Sequence, residues 1–490
     1  GWYGHYLLIV AYDDQQEQFW VYDSWFGTSE EPLTNAHPDG RVLSYADLEI
    51  YWPHFNRNYI LLYEPQQQAL VESIIGEEMD DNIRFFDHRR EDSRTDWDRD
   101  GWPNHEWEQL LKEMRRRADE AGFLRYHLPE RFGGSDGTNL GMAIIREHLA
   151  TKGLGLHNDL QNENSVVGNF PTVLMMEKYG SEDQQNYWIP KMLDGTARIG
   201  FGLTEPMAGT DATRMHTAAY RDGDEWVING AKRWNTGMHA ATHDYVFART
   251  SGKPGEATVI TNFIVPVDTP GFKVEFMWWT YNMPTDHAEV SLTDVRVKDS
   301  DMLGDEGLGL NTAQLFVHEN RIRQAASSLG AAQYCINEAV KYAREREIHN
   351  RPLSANQAIQ WPLIEMHTEA AMLRELIRKT AWELDRSDDH TQISDRVAMC
   401  NYRANRLVGQ AADRAIQVHG GIGYSRHLPF EHIFRHHRRY RITEGSEEMQ
   451  MRRVGQYLFG YGVSNEMFET PSFAARFNSP QVGEPASWLD

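Results

Sequence analysis

The chain has 490 residues, 40% of them hydrophobic and 11% aromatic, which is enough for several domains around a sizeable core and too much for a disordered protein. Its 49 Lys and Arg against 72 Asp and Glu leave a formal charge of -23, which argues against a general binder of nucleic acid or anionic membrane, because phosphates are repelled. No run of about 18 apolar residues occurs and "GWYGHYLLIV" lacks a basic flank, so neither a membrane span nor a secretory leader is expected. A first residue other than Met leaves room for missing upstream sequence. Cys335 and Cys400 fall inside helical patterns, which predicts free thiols and a cytoplasmic location.

Residues 1–66 read as β, with the apolar, aromatic-rich runs "HYLLIVAYD", "QFWVYDSW" and "NYILLYEP" separated by polar stretches. Residues 67–200 read as a helical block, because "HEWEQLLKEMRRRADEAGF" and "GTNLGMAIIREHLATKGLG" carry helical apolar spacing. Residues 201–305 return to β through "DEWVINGAKRW", "HDYVFART", "TNFIVPV" and "HAEVSLTDVRV", with Asn229-Gly230 as a hairpin signal. Residues 306–465 read as long helices. One stripe runs Ile359, Leu363, Met366, Ala370, Leu373, Ile377 and another Ile393, Val397, Cys400, Ala404, Leu407, Ala411, each a single apolar face suited to a bundle. Pro362 predicts a kink or a late start in the first of them, and Gly420 a glycine stop after the second. Residues 466–490 have no periodicity and predict an arm or disorder. The fold class is α+β.

Four motifs fall at the joints of this arrangement. In "FGLTEPMAGTDATRM" a strand end runs into a Pro206 and Gly209 turn, leaving the hydroxyls of Thr204 and Thr210 for a planar, acceptor-rich ligand. In "INGAKRWNTG" a period of two brings Trp234 and Thr236 to one face, a platform for an aromatic ring system. In "QVHGGIGYS" Gly420 and Gly421 permit close backbone approach beside the amide of Gln417. In "RYRITEGSEEMQMRR" a lone carboxylate, Glu444, stands between Thr443 and Gly445. Read alone, that stretch is a helix start with Ser446 as N-cap and Glu448 in the first turn.

Taken in order, with "AREREIHNRPLSANQAIQ" between the second and third, these stretches resemble the acyl-CoA dehydrogenase family of flavoproteins over residues 75–460. The resemblance implies an N-terminal helical domain, a central β domain and a C-terminal four-helix bundle. FAD would lie between sheet and bundle, shared across the interface of a homodimer or homotetramer. Leu203 and Thr204 look like the residues on the flavin pyrimidine edge, Thr210 like the one nearer the phosphates, and Trp234 and Thr236 like the pair near flavin N5. Arg346 resembles the arginine that reaches the FAD pyrophosphate of a neighbouring subunit, although the usual Phe-Gly after it is His349-Asn350 here. Gln357 matches the adenine-side residue, Gln417, Gly420 and Gly421 the loop cradling the ADP half, and Ser446 the hydroxyl after the base. Arg321 resembles the arginine that contacts the CoA portion of the substrate.

The family's base falls on Glu444. A thioester α-proton is weakly acidic, so a carboxylate must be aimed at it, and expelling water as substrate binds makes that carboxylate a stronger base. The β-hydride passes to flavin N5, giving the trans-2-enoyl-CoA, and the electrons go on to an electron-transfer flavoprotein. Some members carry the base just before the arginine matched by Arg321, but that residue is Asn320 here, and Glu319 lies about 100° around the helix. Thr443 replaces a commonly aromatic residue, which predicts a pocket open to substituted acyl groups. An oxidase of the same fold and a non-catalytic interaction protein built around the N-terminal piece are the alternatives.

That piece resembles the second half of C39-type, papain-like peptidase domains, with His5 and Asp23 in the positions that orient a cysteine. No cysteine precedes Cys335, so the nucleophile is absent from this chain. His432, His436 and His437 invite a metal reading, but no carboxylate or cysteine completes a set at a usual spacing, so surface solvation or a phosphate contact is expected of them.

Overall fold

The structure is a computed structural model of the chain. It describes residues 7–13, 18–23, 41–44, 95–96, 102–103, 105–153, 168, 170–256, 259–278, 280, 287–387 and 390–460. Contacts divide the chain into two units, residues 1–104 and 105–490. In the first, β1 (Leu7–Asp13), β2 (Gln18–Asp23) and β3 (Arg41–Ser44) form an antiparallel sheet in that order, and β4 (Thr95–Asp96) pairs with β5 (Trp102–Pro103). Asp23 closes β2; His5, the stretch "NYILLYEP" and residues 466–490 lie outside the described residues.

The second unit opens with helices α1 (His105–Glu120), α2 (Asn139–Ala150), α3 (Pro171–Tyr179) and α4 (Glu182–Asp194). Their starts are written in local chemistry. Thr138 caps α2, Pro171 occupies the first turn of α3, and Ser181 with Gln184 forms a reciprocal capping box on α4.

An eight-stranded sheet follows, in the order β11-β12-β8-β6-β9-β10-β13 with β7 paired to β8 and β9. The strands are β6 (Ile199–Gly202), β7 (Ala218–Asp222), β8 (Glu225–Thr236), β9 (His243–Arg249), β10 (Ile260–Pro266), β11 (Phe272–Met277), β12 (His287–Lys298) and β13 (Met302–Leu303). Asn229-Gly230 is not a hairpin turn: both residues lie inside β8. Thr217 packs so tightly on Gly230 that a Cβ there would stand 2.6 Å from its Cα. Asn229 meanwhile exchanges hydrogen bonds with Asp294, at a bulge on the neighbouring strand. The turn-like dipeptide serves close packing and a bulge.

The bundle consists of α5 (Gly309–Glu345), α6 (Gln357–Leu384) and α7 (Ser394–His419), followed by the short α8 (Gly421–Tyr424), then α9 (Phe430–Arg438) and α10 (Glu447–Phe459). Both predicted stripes face its core: Leu363, Met366, Ala370, Leu373 and Ile377 are buried on α6, and all six of the other set are buried on α7 or just before it. The predicted late start at Pro362 does not occur. α6 begins at Gln357, because the carbonyl that Pro362 leaves without a helical donor is that of Ala358, an exposed residue of the first turn. Gly420 ends α7 with φ of 64°. His436 and His437 are buried rather than solvated, since they lie on the inner side of α9. Among the described residues no helix is long and apolar enough to cross a membrane, and no cluster is fit to hold a metal ion.

Candidate active site

The end of β6 meets β8 through one pair, Phe201 with Thr236, and Arg233 donates its backbone N–H to the Thr204 carbonyl at 2.8 Å. That stitch brings "FGLTEP" alongside "RWNTG". Beneath it Lys232 and Glu205 form a fully enclosed ion pair at 2.8 Å, and the Glu205 carboxylate also accepts the backbone N–H groups of His216 and Thr217. Burial alone would push the Glu205 carboxyl up; the Lys232 ammonium and the hydrogen bonds outweigh it and hold it low. The turn after β6 is therefore pinned from below.

Trp234 and Thr236 both reach the pocket, but simple alternation does not bring them there. Trp234 sits at a bulge with φ of 64°, so the buried positions on either side are Lys232 and Asn235, three apart. Its ring remains 41% exposed and lies 4.7 Å from that of Trp278. Leu203, Thr204, Thr210, Trp234 and Thr236 line one side of a cavity of 2130 Å³, far larger than a usual small-molecule pocket of roughly 300–1,000 Å³. Two ligands fit such a volume. The hydroxyls of Thr204 and Thr210 make no hydrogen bond among the described residues, so this wall offers free donors beside an aromatic face, which fits the isoalloxazine ring and the phosphates of a flavin nucleotide.

Opposite, the segment between α9 and α10 carries Thr443, Glu444, Gly445 and Ser446 into the same cavity. Glu444 and Gly445 are consecutive left-handed residues, φ 51° and 84°, and for a glutamate that backbone costs about 1–3 kcal/mol. Several bonds hold it. Arg321 of α5 donates from Nε at 3.0 Å, with Nη2 alongside, to the Glu444 carbonyl; Gln450 donates to the Gly445 carbonyl at 2.8 Å; and Glu447 accepts from Arg441 and Arg406. The Arg441 hydrogen bonds hold the Glu447 carboxyl down at about 2. Ser446 is the N-cap residue of α10, yet its side chain makes no capping bond and lines the cavity.

The carboxylate itself is gripped at both ends. Oε1 accepts from Asn320 Nδ2 at 2.8 Å and Oε2 from Gln324 Nε2 at 2.7 Å. A carboxylate has about four lone-pair positions, so each oxygen keeps one for a proton. Gln324 is a site residue that sequence reading missed; its signal was the one-turn spacing from Asn320. Glu319 faces elsewhere, paired with Arg323 at 2.9 Å and near His127, and does not line the cavity. Arg321, expected on the CoA portion of a substrate, lines the cavity and commits Nε and Nη2 to the backbone of Glu444, and burial draws its guanidinium down to about 10, still charged at neutral pH. Thr443 Oγ1 is buried at the cavity wall with no hydrogen-bond partner among the described residues.

Five of the expected residues lie elsewhere. Arg346 caps α5, Gln357 opens α6, Gln417 and Gly420 close α7 and Gly421 opens α8, all exposed. The ends of α5 and α7 meet where the Tyr342 and His419 rings stand 4.4 Å apart. At 1.5 Å per residue, Arg346 is about 37 Å along α5 from Arg321. One chain therefore does not bring both groups to one pocket. His349 and Asn350 after Arg346, with φ of 49° and 60°, form the two-residue turn between β14 (Glu347–Ile348) and β15 (Arg351–Pro352).

Comparison with known proteins agrees with this architecture. The N-terminal, middle and C-terminal domains of acyl-CoA dehydrogenase match residues 77–196, 200–295 and 307–459. "Probable acyl-CoA dehydrogenase YngJ" of Bacillus subtilis is 32% identical over 70% of this chain and 88% of its own length. The 3-(aryl)acrylate reductase of Clostridium sporogenes is 32% identical over 71% and 90%. The solved butyryl-CoA dehydrogenase of Megasphaera elsdenii superposes with a TM-score of 0.62 at 27% identity, over 82% of this chain and 100% of that one. The chain thus belongs to the acyl-CoA dehydrogenase family, whose members are FAD-binding oxidoreductases that act on CH–CH bonds.

Proposed function

We propose that the chain oxidises an acyl-CoA thioester to the trans-2-enoyl-CoA, with Glu444 removing the α-proton. The observation that carries this reading is the Glu444 carboxylate, aimed by Asn320 and Gln324 into a cavity whose other wall is Leu203, Thr204, Thr210, Trp234 and Thr236. Bound FAD supplies the acceptor for the β-hydride. The chain's own residues bind, orient and take the proton. Ser446 and the threonine hydroxyls offer donors to the cofactor. Arg321 and the left-handed turn keep Glu444 facing the thioester. The cavity is basic within an acidic protein: Asp119, Asp194 and Glu444 are its carboxylates, while Arg435, Arg438, Arg439, Arg452 and Arg453 are among its cations. That balance suits a ligand bearing the phosphates of CoA.

Arg346, Gln357, Gln417, Gly420 and Gly421 would serve the FAD of a second copy in a homodimer or homotetramer, since they stand too far from the pocket of their own chain. An electron-transfer flavoprotein is the proposed acceptor, and the cytoplasm the proposed location. Residues 1–66 are proposed as a C39-peptidase-like appendage without a nucleophile. Thr443, with its unpartnered hydroxyl, favours a branched or polar-substituted acyl group over an unbranched medium chain.

The test is an anaerobic panel of straight, branched and substituted acyl-CoA thioesters, followed by bleaching of the flavin. Bleaching by substituted thioesters supports the reading; activity confined to unbranched medium chains would overturn the part assigned to Thr443. Hydrogen peroxide formed in air would identify an oxidase, and a purified protein without flavin that no thioester alters would identify an interaction protein.

A further inference from the structure

Behind the carboxylate a line of hydrogen bonds crosses the bundle core. His437 Nδ1 lies 2.9 Å from Ser328 Oγ, Ser328 Oγ donates to Asn405 Oδ1 at 2.6 Å, and Asn405 Nδ2 donates to Asn401 Oδ1 at 2.9 Å. Asn401 Nδ2 then donates to Gln324 Oε1 at 3.2 Å, and Gln324 Nε2 to Glu444 Oε2 at 2.7 Å. The five residues behind Glu444 come from α9, α5 and α7, and each is at most 2% exposed, so water does not substitute for a missing link.

The direction of the line is fixed by groups that can only accept. Asn401 Nδ2 also donates to the Arg321 carbonyl at 2.9 Å, and Asn405 Nδ2 to the Tyr440 carbonyl at 3.1 Å. Neither amide can therefore be reversed without facing an oxygen with an oxygen. Gln324, receiving Asn401 on its oxygen, must present its nitrogen to Glu444. At the far end Ser328 spends its proton on Asn405, so His437 donates from Nδ1; burial, with Arg439 and His432 nearby, pushes its imidazolium down to about 3 and leaves the ring neutral. Every donor points toward the carboxylate.

We infer that Gln324, backed by Asn401, Asn405, Ser328 and His437, is a positioning residue for proton abstraction: the line fixes the Glu444 carboxylate in place, with one lone pair of Oε2 occupied and the other turned to the substrate α-carbon. This rests on the proposed function of Glu444. The step it serves moves one proton: the α C–H proton goes to the carboxylate, its electron pair forms the thioester enolate, and a solvent-derived proton can return. Misplacing a reacting atom by about 1 Å can slow such a step by roughly a hundredfold, and a buried line of satisfied hydrogen bonds leaves Oε2 little freedom to move.

The experiment measures exchange of the α-hydrogens into D₂O on a 3-thia-acyl-CoA matched to the best substrate, whose β-position is sulfur and yields no hydride. Thioester affinity is measured alongside on the same FAD-loaded enzyme. Gln324→Met, of similar shape without a polar end, is expected to slow exchange roughly ten- to a hundredfold with affinity within about twofold of wild type. Ser328→Ala, a smaller change four links away, is expected to slow it several-fold and serves if Gln324→Met does not fold. Wild-type exchange rates in a folded variant, or a loss confined to affinity, would overturn the inference. If the wild-type enzyme shows no Glu444-dependent exchange, the reading of Glu444 fails and the inference with it; exchange that is Glu444-dependent but indifferent to Gln324 defeats the inference alone.

Discussion

Asn320 gives its side-chain amide to Glu444 Oε1 at 2.8 Å. The position that carries the base in some members of the family thus holds a donor to the proposed base, Glu444, in this chain. With Gln324 on the other oxygen, the carboxylate has two neutral amide partners. Its orientation comes from α5, while its height in the pocket comes from the left-handed turn and from Arg321 on its carbonyl.

Arg321→Lys separates two roles. A lysine keeps the charge but cannot direct two N–H groups at one carbonyl. If Arg321 acts through the backbone of Glu444, flavin reduction slows by about ten- to a hundredfold at little cost in substrate affinity. If it acts through the CoA portion, the loss appears chiefly in KM. Stopped-flow reduction across a range of acyl-CoA concentrations distinguishes them.

Arg346→Ala changes an exposed side chain about 37 Å from the pocket of its own chain. The account predicts weaker FAD retention, by about 1.5–3 kcal/mol for a lost charge-assisted contact, with an unchanged melting temperature of the apoprotein. FAD titration by fluorescence quenching measures it. Unaltered affinity would mean that a second copy does not use this residue.

Thr443→Phe tests the width proposed for this pocket, whose wall Thr443 forms in part. Preference for a branched or substituted thioester over a straight one is expected to fall by about tenfold or more, the scale of small volume differences in a pocket. The ratio of kcat/KM values for two such thioesters is the measurement.

Asp244 supplies a prediction about stability. It is fully enclosed beside Asn235, and burial pushes its carboxyl up from 3.8 to about 8. Because the folded value is the higher, the folded chain holds a proton that the unfolded chain releases, so this group's contribution is complete below 3.8 and is lost as pH rises toward 8. Asp244→Asn removes that loss. Its advantage over wild type in denaturant midpoints should widen from pH 5 to pH 8, by at most about 1.4 kcal/mol per pH unit. A gap independent of pH would contradict the assignment.

Much of the fold could be read from the chain because it is carried by local signals: the stripes of α6 and α7, the stop at Gly420, the strand runs of the sheet. The turn that carries Glu444 was legible for a similar reason, as a carboxylate beside a glycine that takes φ of 84°. What escaped depends on tertiary register. Asn401 and Asn405 stand among buried α7 residues where a polar type signals exposure, and only the packing of α7 on α5 and α9 gives them partners. His436 and His437 escaped likewise, for charge patterning cannot say which side of α9 faces the core. Asn229-Gly230 misled because the steric demand it answers comes across the strand pair, from Thr217 just before β7, and not from a turn of its own.

The central claim is that Glu444 removes the substrate proton, and anaerobic mixing of FAD-loaded Glu444→Gln with the best acyl-CoA of the panel tests it most directly. Flavin bleaching slowed by at least roughly a hundredfold, with FAD still bound and thioester affinity retained, is the predicted result. Bleaching at the wild-type rate would contradict it.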